Sequence, residues 1–317
     1  TRPHQRTFET IVRISETTPW AMTTQIQTEL KNLEQQHGIK ILYAIESGSR
    51  AWGFASTDSD WDVRFIYIHR KDWYLSIDDK KDSVEIMLPN DLDLSGWEMR
   101  KALKLFRKSN PPLMEWLNSP IIYHEEKPVV EQFRGLMAEY FNPKSCLHHY
   151  LHMAEGNFRE YLQRDLVRTK KYFYVIRPVL ACQWIERTDT MAPTEFQKLF
   201  ETQIEDGELK REIEKLLARK RSGDELREEP KIKILNDFLE ERIQYYANYV
   251  KQFELKKQPD TEKLNDFFRK TLSQFGNVSK VKMEEISLEG DPFDSMELVY
   301  SKDLKALEDI ARTKIRR

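Results

Sequence analysis

The sequence predicts an α+β fold in which a small sheet-containing domain is followed by a helical domain. Runs of β-branched and apolar residues typical of strands are confined to the first third of the chain. Through most of the remainder, apolar residues recur at helical spacing. Only 10 of the 317 residues are glycine and 33% are charged, a composition that favours a largely helical protein over a β-sandwich.

Three regions are predicted along the chain. Residues 1–22 are polar and patternless, and we expect an N-terminal extension or a remnant of cloning, with a short helix over residues 7–15 as the alternative. Residues 23–125 are expected to form the sheet-containing domain and residues 126–317 the helical domain. A chain of this length suffices for two domains of ordinary size.

The first domain begins with a predicted helix over residues 23–36, because Ile26, Leu30 and Leu33 recur at helical spacing. Gly38 is expected to end this helix. The elements that follow are predicted as a strand over residues 39–45, a short turn or helix over 50–55, a strand over 61–68, a hairpin arm over 84–88, a strand over 91–94 and a helix over 96–108.

From about residue 110 the chain is predicted to consist of helices joined by short polar segments. Their spans are residues 112–117, 128–141, 144–163, 170–186, 193–200, 206–219, 231–252 and 261–273. A loop over residues 276–295 and a charged helix over residues 301–315 complete the predicted chain.

The overall charge favours no particular class of partner. The formal net charge is −2, so no global electrostatic field favours nucleic acid or a membrane, although a local basic surface is compatible with this total. Cys146 and Cys182 lack zinc-like spacing and are expected to be buried thiols in a reducing compartment. Because neither a long apolar run nor a signal peptide is visible, we expect a cytoplasmic protein with no membrane partner.

Residues 46–64 contain the pattern that indicates a site for a metal ion and a phosphate group. Gly48 and Ser49 follow the first strand, and Asp60 and Asp62 begin the second. Residues two apart on a strand point to the same face, so two carboxylates would converge there and favour a bound cation. Such oxygen ligands suit Mg²⁺, which proteins usually hold with one or two carboxylates and substrate phosphates. Glycine lets the backbone approach a phosphate closely, and the amides at a helix start favour an anion.

A third carboxylate and two arginines complete the predicted site. Asp93 is expected to share a second metal ion and to orient or deprotonate an attacking hydroxyl, with Asp91 on the same strand face as the alternative. Arg50 and Arg64 flank the pattern, and both are candidates for phosphate binding. Arg64 is equally suited to an ion pair with one of the strand aspartates.

At these residues the sequence resembles the nucleotidyltransferase superfamily typified by DNA polymerase β. Its hG[GS] and Dh[DE]h motifs match GS at residues 48–49 and DWDV at residues 60–63, with Asp93 in the place of the third carboxylate. The likeness covers roughly residues 39–200 and is closer to a bacterial and phage group, the RNA repair pathway DNA polymerase β family. It is carried by ESGSRAWGFASTDSDWDVRFIY, GWEMRKALKLFRKSNPPLMEWLNSPIIY and KKYFYVIRPVLACQWIE.

The resemblance implies a mixed-sheet catalytic core and a metal-dependent transfer of a nucleotide. In that reaction an acceptor hydroxyl takes NMP from an NTP, and pyrophosphate leaves. Two Mg²⁺ ions are expected on Asp60, Asp62 and Asp93, with Mn²⁺ as an alternative. In related enzymes lysines of the helical domain often reach the triphosphate, so Lys171 is a candidate ligand of the β- and γ-phosphates.

The acceptor is expected to be an RNA or tRNA end, with a protein hydroxyl, as in toxins of this superfamily, as the alternative. RNA binding would depend on a local basic surface, since no signature of an RNA-binding module is present; the residues concerned are Arg164, Arg168, Lys170 and Lys171. A non-catalytic nucleotide-binding module is a further hypothesis, against which the intact carboxylates argue. The sequence predicts neither the preferred base nor the oligomeric state.

Overall fold

The computed structural model describes residues 19–56, 59–89, 91–223, 228–253 and 259–276. All of them belong to one compact unit that runs to Val278. The predicted loop over residues 276–295 lies almost wholly outside the described residues, as do the predicted C-terminal helix and the possible helix over residues 7–15. The sheet and the later helices share this unit, and the predicted division at residue 125 stays a prediction.

The described chain alternates helices and strands before it becomes helical. In chain order the elements are α1 (Pro19–His37), β1 (Ile39–Glu46), α2 (Gly48–Trp52), β2 (Trp61–His69), α3 (Lys71–Tyr74), β3 (Ser83–Leu88), β4 (Leu92–Glu98), α4 (Met99–Arg107), α5 (Pro111–Leu117), β5 (Ile122–Glu125), α6 (Lys127–Tyr140), α7 (Pro143–Asn157), β6 (Leu166–Arg168), α8 (Phe173–Thr188), α9 (Phe196–Gln203), α10 (Glu208–Arg221), β7 (Glu228–Pro230), α11 (Lys233–Tyr249) and α12 (Glu262–Phe275). Among the described helices, none has both the length and the apolar character needed to span a bilayer.

Five strands form a mixed sheet in the order β3-β4-β2-β1-β5. β2 and β4 are parallel, and the other neighbouring strands are antiparallel. The predicted α+β class with a small mixed sheet is therefore confirmed. The edge strand β5 was not predicted, because its four residues give too short a pattern.

The sheet is buried on both faces, which explains why β1 and β2 read as nearly continuous apolar runs. Alternate residues of β2 point to opposite faces. Phe65 and Tyr67 pack with the apolar stripe of α1, and Ile66 and Ile68 pack with the helices on the other side. That second layer is formed by α4, α5, α6 and α12, so the last described helix returns to cover the sheet.

The boundary between β4 and α4 differs from the prediction. The sequence suggested a helix from residue 96, but the strand continues through Trp97, and α4 begins at Met99. Two contacts explain the difference. Glu98 caps the helix by accepting bonds from the amides of Arg100 and Lys101, and Gly96 pairs with Phe65 of β2.

Later helices form a third hydrophobic cluster around the antiparallel contact of α7 with α8. The single predicted helix over residues 144–163 is divided, because α7 ends at Asn157 and a π-helical turn, Phe158–Leu162, continues it. A 3₁₀ turn, Thr169–Tyr172, then leads into α8. Strands β6 and β7 form a separate two-stranded ribbon that was not predicted, since each has only three residues.

Candidate active site

The Gly-Ser segment and the aspartate pair meet at one end of the sheet. Because β1 and β2 are antiparallel, the end of β1 lies beside the start of β2. The amide of Ser47 donates to the carbonyl oxygen of Asp62 at 2.8 Å, which joins the two strand ends. The helix α2 begins at Gly48 immediately after this bond, so its first residue lies beside the carboxylate of Asp62.

Gly48 is required by its backbone conformation and by its closest neighbour. Its φ of +59° lies in the left-handed region that glycine adopts most readily. A Cβ at this position would also lie 2.1 Å from Oδ2 of Asp62, well inside van der Waals contact. The carboxylate of Asp62 therefore occupies the space that any other residue at position 48 would need.

These residues line an open pocket of about 240 Å³. Its lining combines the Gly-Ser turn and the aspartates with aromatic residues and with two lysines from later in the chain. The lining residues are Gly48, Ser49, Trp52, Phe54, Ser56, Ser59, Asp60, Asp62, Lys170, Phe173, Tyr174 and Lys220. A pocket lined by both carboxylates and lysines is suited to a ligand that carries both phosphates and a divalent cation.

Asp93 lies beside Asp62, on a strand that the sequence predicted to neighbour the strand of Asp60 and Asp62. Arg64 forms ion pairs with the carboxylates of both Asp62 and Asp93. The parallel register of β2 and β4 pairs Asp62 with Asp93 directly. Nη2 of Arg64 donates to Oδ1 of Asp62 at 3.0 Å and to Oδ2 of Asp93 at 2.8 Å. The sequence left two roles open for Arg64, phosphate binding and an ion pair with a strand aspartate, and the structure shows the ion pair.

The donor chemistry of the pocket fits a divalent cation at Asp60 and Asp62. Burial raises the pKa of Asp62, the nearby carboxylates of Asp93 and Asp60 raise it further, and Arg64 lowers it. A concentrated negative charge of this kind is stabilised by a cation. Within the described ranges, no three histidine, cysteine or acidic side chains are arranged to hold a metal ion. Asp93 is bound to Arg64, so it would have to leave that partner to join such a group.

Arg50 supports the loop that carries Asp60 and is not part of the pocket lining. Its guanidinium donates to the carbonyl oxygens of Ser59 at 2.6 Å and Asp60 at 3.0 Å. The same guanidinium lies 3.6 Å from the centre of the Trp61 ring. The contacts of Arg50 are thus with the chain itself, and its predicted role in phosphate binding stays a prediction.

Glu46 is a component of the site that the sequence analysis missed. Its side chain is fully buried, accepts the amide of Asp62 at 2.8 Å and accepts the hydroxyl of Tyr123 at 2.5 Å. Burial raises its pKa to about 7, while the hydrogen bond from Tyr123 opposes that rise. The available signal was a carboxylate at the end of an otherwise apolar strand, directly before the Gly-Ser pair.

The lysines that line the pocket are Lys170 and Lys220, whereas Lys171 contacts the lining residue Tyr174 and is not itself part of the lining. Lys170 and Lys171 are neighbours in the 3₁₀ turn before α8, so their side chains leave the backbone in different directions. Nζ of Lys171 lies 4.0 Å from the centre of the Tyr161 ring and 4.8 Å from that of Tyr174. Lys220, in the last turn of α10, was not predicted; the signal for it was the basic run at the end of that helix.

A buried ion pair supports the pocket wall formed by Trp52. The guanidinium of Arg177 lies 4.7 Å from the centre of the Trp52 ring, and it donates to Oε1 of Glu115 at 3.0 Å. The hydroxyl of Tyr150 donates to the same oxygen. Arg177 is only 2% exposed, so loss of its partner would leave a buried charge uncompensated, which is strongly destabilising.

Comparison with known proteins identifies the family to which the chain belongs. The model of the RNA repair pathway DNA polymerase beta family matches residues 22–270, and the chain belongs to that family. Membership supports a general nucleotidyltransferase activity of the DNA polymerase β type. It confirms the resemblance drawn from the Gly-Ser and aspartate motifs.

The relatives carry little further functional information. The chain is 50% identical over 233 residues to the uncharacterized protein YcgL of Bacillus subtilis (strain 168), covering 74% of this chain and 90% of that protein. A nucleotidyltransferase-like protein from Exiguobacterium sibiricum 255-15 matches 78% of this chain and 91% of its own, at 10% identity and a TM-score of 0.24. A score that low supports no argument about this chain.

We predict that alanine is tolerated less well at position 48 than at position 53. Gly53 also has a left-handed φ, +87°, but a Cβ there meets nothing within 4 Å. Gly53→Ala should cost about 1–2 kcal/mol for the backbone conformation alone. Gly48→Ala should cost about 1–3 kcal/mol more, because the methyl group also displaces Asp62. Urea unfolding of both variants measures the difference, and equal losses would contradict the contact.

We also predict a pH-dependent stability that Glu46→Gln removes. The pKa of this carboxyl is about 7 in the folded protein against an ordinary value of 4.5. Between these values the folded chain keeps a proton that the unfolded chain releases, so stability falls as pH rises from about 4.5 to 7.

The full loss attributable to Glu46 is on the order of 3 kcal/mol. Relative to the wild type, Glu46→Gln should therefore gain most of that amount, roughly 2 kcal/mol, between pH 5 and pH 7.5. Urea unfolding at the two pH values measures this difference, and Glu131→Gln on the exposed surface of α6 serves as the control for the loss of one acid. If the difference in free energy of unfolding between wild type and Glu46→Gln is the same at both pH values, the Glu46 carboxyl is charged at both.

Proposed function

We propose that this protein is a Mg²⁺-dependent nucleotidyltransferase that moves NMP from an NTP to a hydroxyl group of an RNA, such as a tRNA end. The observation that carries the proposal is a single pocket whose lining combines Gly48 and Ser49, the carboxylates Asp60 and Asp62, and two lysines, Lys170 and Lys220. Family membership supports the same class of reaction.

The triphosphate is proposed to lie between the Gly-Ser turn and the lysines. The bare α-carbon of Gly48 permits a close approach, and the hydroxyl of Ser49 adds a donor. Lys170 and Lys220 supply the positive charge that β- and γ-phosphates require, in place of the Lys171 expected from the resemblance. The aromatic wall of Trp52 and Tyr174 then remains for the nucleoside.

Asp60 and Asp62 are the proposed ligands of a divalent cation, with Asp93 joining them when Arg64 releases it. A Mg²⁺ ion bound there, or Mn²⁺ in its place, would supply positive charge beside the reacting phosphate, and a second ion would need Asp93. Without the cation, Arg64 offsets one of the two negative charges of Asp62 and Asp93. Glu46, through the amide of Asp62, holds the backbone of the aspartate strand in place.

In the proposed reaction the oxygen of the acceptor hydroxyl attacks the α-phosphorus of the NTP. A new phosphorus–oxygen bond forms, and the bond from the α-phosphorus to the oxygen that bridges it to the β-phosphate breaks. Pyrophosphate leaves with that electron pair, and the hydroxyl loses its proton, for which Asp93 is the proposed acceptor. Lys170 and Lys220 would stabilise the charge that develops on the leaving pyrophosphate.

The experiment that tests this function follows the transfer of label from an α-³²P NTP. With Mg²⁺ and total RNA, the wild-type protein is expected to label RNA. Asp60→Asn and Asp62→Asn keep the size of the side chain but remove its charge, and each should lower the transfer rate by at least about 10²-fold. Asp82→Asn, an exposed aspartate paired with Lys101, is the matched control and should keep wild-type transfer.

The same assay distinguishes the alternatives. Label that appears in protein when a cell lysate is added, and never in RNA, would assign the acceptor to protein. Tight NTP binding without transfer to either would favour a nucleotide-binding module. Transfer that survives in both aspartate variants would contradict the assigned site.

The choice of lysines is tested by equilibrium binding of a labelled NTP in the presence of Mg²⁺. Lys170→Gln and Lys220→Gln should each raise the Kd by roughly tenfold, because a charge-assisted bond to phosphate is lost. Lys171→Gln should change the Kd by less than about twofold. Lys215→Gln, on the same helix as Lys220 and paired with Glu212, is the control. A large effect of Lys171→Gln alone would restore the assignment made from the resemblance.

A further inference from the structure

Three residues form an aromatic and cationic surface that leads away from the pocket. Tyr174 belongs to the pocket lining and is 39% exposed. The ammonium of Lys171 lies between its ring and the ring of Tyr161, at 4.8 Å and 4.0 Å from the two centres. Tyr161, Lys171 and Tyr174, here called the tyrosine strip, are therefore continuous with the pocket at one end.

The backbone beneath the strip is held by buried neighbours. Tyr161 lies in the π-helical turn after α7, Lys171 in the 3₁₀ turn and Tyr174 in the first turn of α8. Residues adjacent to them in sequence are buried in the helical core: Leu162, Tyr172 and Phe173. Tyr161 is partly buried where it packs on the helical core, and Tyr174 is 39% exposed, so each ring offers part of its surface to solvent. The anchored backbone beneath them reduces the ordering cost of binding.

The charge around the strip differs in sign from that of the whole chain. Residues 159–171 contain five cationic and two acidic side chains, a net charge of +3, whereas the chain has −2. The cations are Arg159, Arg164, Arg168, Lys170 and Lys171. Glu228, which pairs with Arg168 at 3.7 Å, subtracts one from this sum, and Lys231, which pairs with Asp165 at 3.4 Å, adds one, so the local charge stays positive. A polyanion is the complementary partner.

We propose that the tyrosine strip binds single-stranded RNA and directs it to the pocket. This inference rests on the proposed function, for which it identifies the surface that receives the acceptor. Unpaired bases stack on exposed aromatic rings, and cationic side chains between the rings meet the phosphates. Duplex RNA keeps its bases stacked on one another, so its bases have little access to the rings. A protein acceptor has no regular row of phosphates to match this charge.

The test uses fluorescence anisotropy of a short, labelled single-stranded RNA without NTP or divalent cations. Tyr161 is the decisive position, because it belongs to the strip but not to the pocket lining. Tyr161→Leu should raise the Kd by roughly tenfold, and Tyr161→Phe, which keeps the ring, should bind like the wild type. Lys171→Gln should reduce the slope of log K against log salt by roughly 0.7.

Tyr245→Leu is the matched control. Tyr245 is 42% exposed and bonds to Glu186 near the end of α8, whereas Tyr174 lies at its start, roughly 18 Å away along the helix. This variant should keep the wild-type Kd for RNA. Circular dichroism of each variant identifies any loss of folding.

The results separate this inference from the proposed function. If Tyr161→Leu binds RNA as the wild type does, or duplex RNA binds as tightly as the single strand, the strip is not the binding surface even when transfer to RNA occurs. Absence of RNA binding by the wild type also overturns the inference. RNA binding that depends on Tyr161, with no transfer of label, would support the tyrosine strip as the RNA-binding surface and would overturn the proposed function.

Discussion

The contact between the carboxylate of Asp62 and the bare α-carbon of Gly48 determines the geometry of the site. It brings a helix start and an acidic strand end together, and the bond from the amide of Ser47 to Asp62 holds them there. The sheet behind them is buried on both faces, so neither strand end can move without disturbing a packed core. Other features of the site, including the pocket and its lysines, are arranged around this junction.

The negative charge of the site is limited by the ion pairs of Arg64 and by the raised pKa of Glu46. Arg64 offsets one of the two negative charges of Asp62 and Asp93, and the nearby buried carboxyl of Glu46 has a pKa raised to about 7, so it is about half neutral at pH 7. Another anion in this place would add to the repulsion between the aspartates. A neutral Glu46 can still accept the amide of Asp62, so the strand end keeps its support without a further negative charge.

The central strands and the meeting of Gly48 with Asp62 could be predicted because short-range patterns determine them: apolar runs, strand alternation and motif spacing. The lysines could not be predicted in the same way. Lys170 and Lys171 are adjacent, and only the 3₁₀ turn decides which one faces the pocket. Lys220 lies on a helix whose return to the site depends on the packing of the whole helical region. The contacts of Arg50 and Arg64 likewise depend on side-chain geometry that spacing does not specify.

The pocket is assembled from segments that are far apart in the chain. The Gly-Ser turn and the aspartates come from residues 48–62, whereas the basic wall comes from the 3₁₀ turn before α8 and from the end of α10. During translation the acidic side therefore leaves the ribosome well before the basic side. A nascent chain that has not yet reached Lys220 contains the carboxylates without the complete wall that faces them. Truncated translation products thus lack the full pocket, even when the sheet has formed.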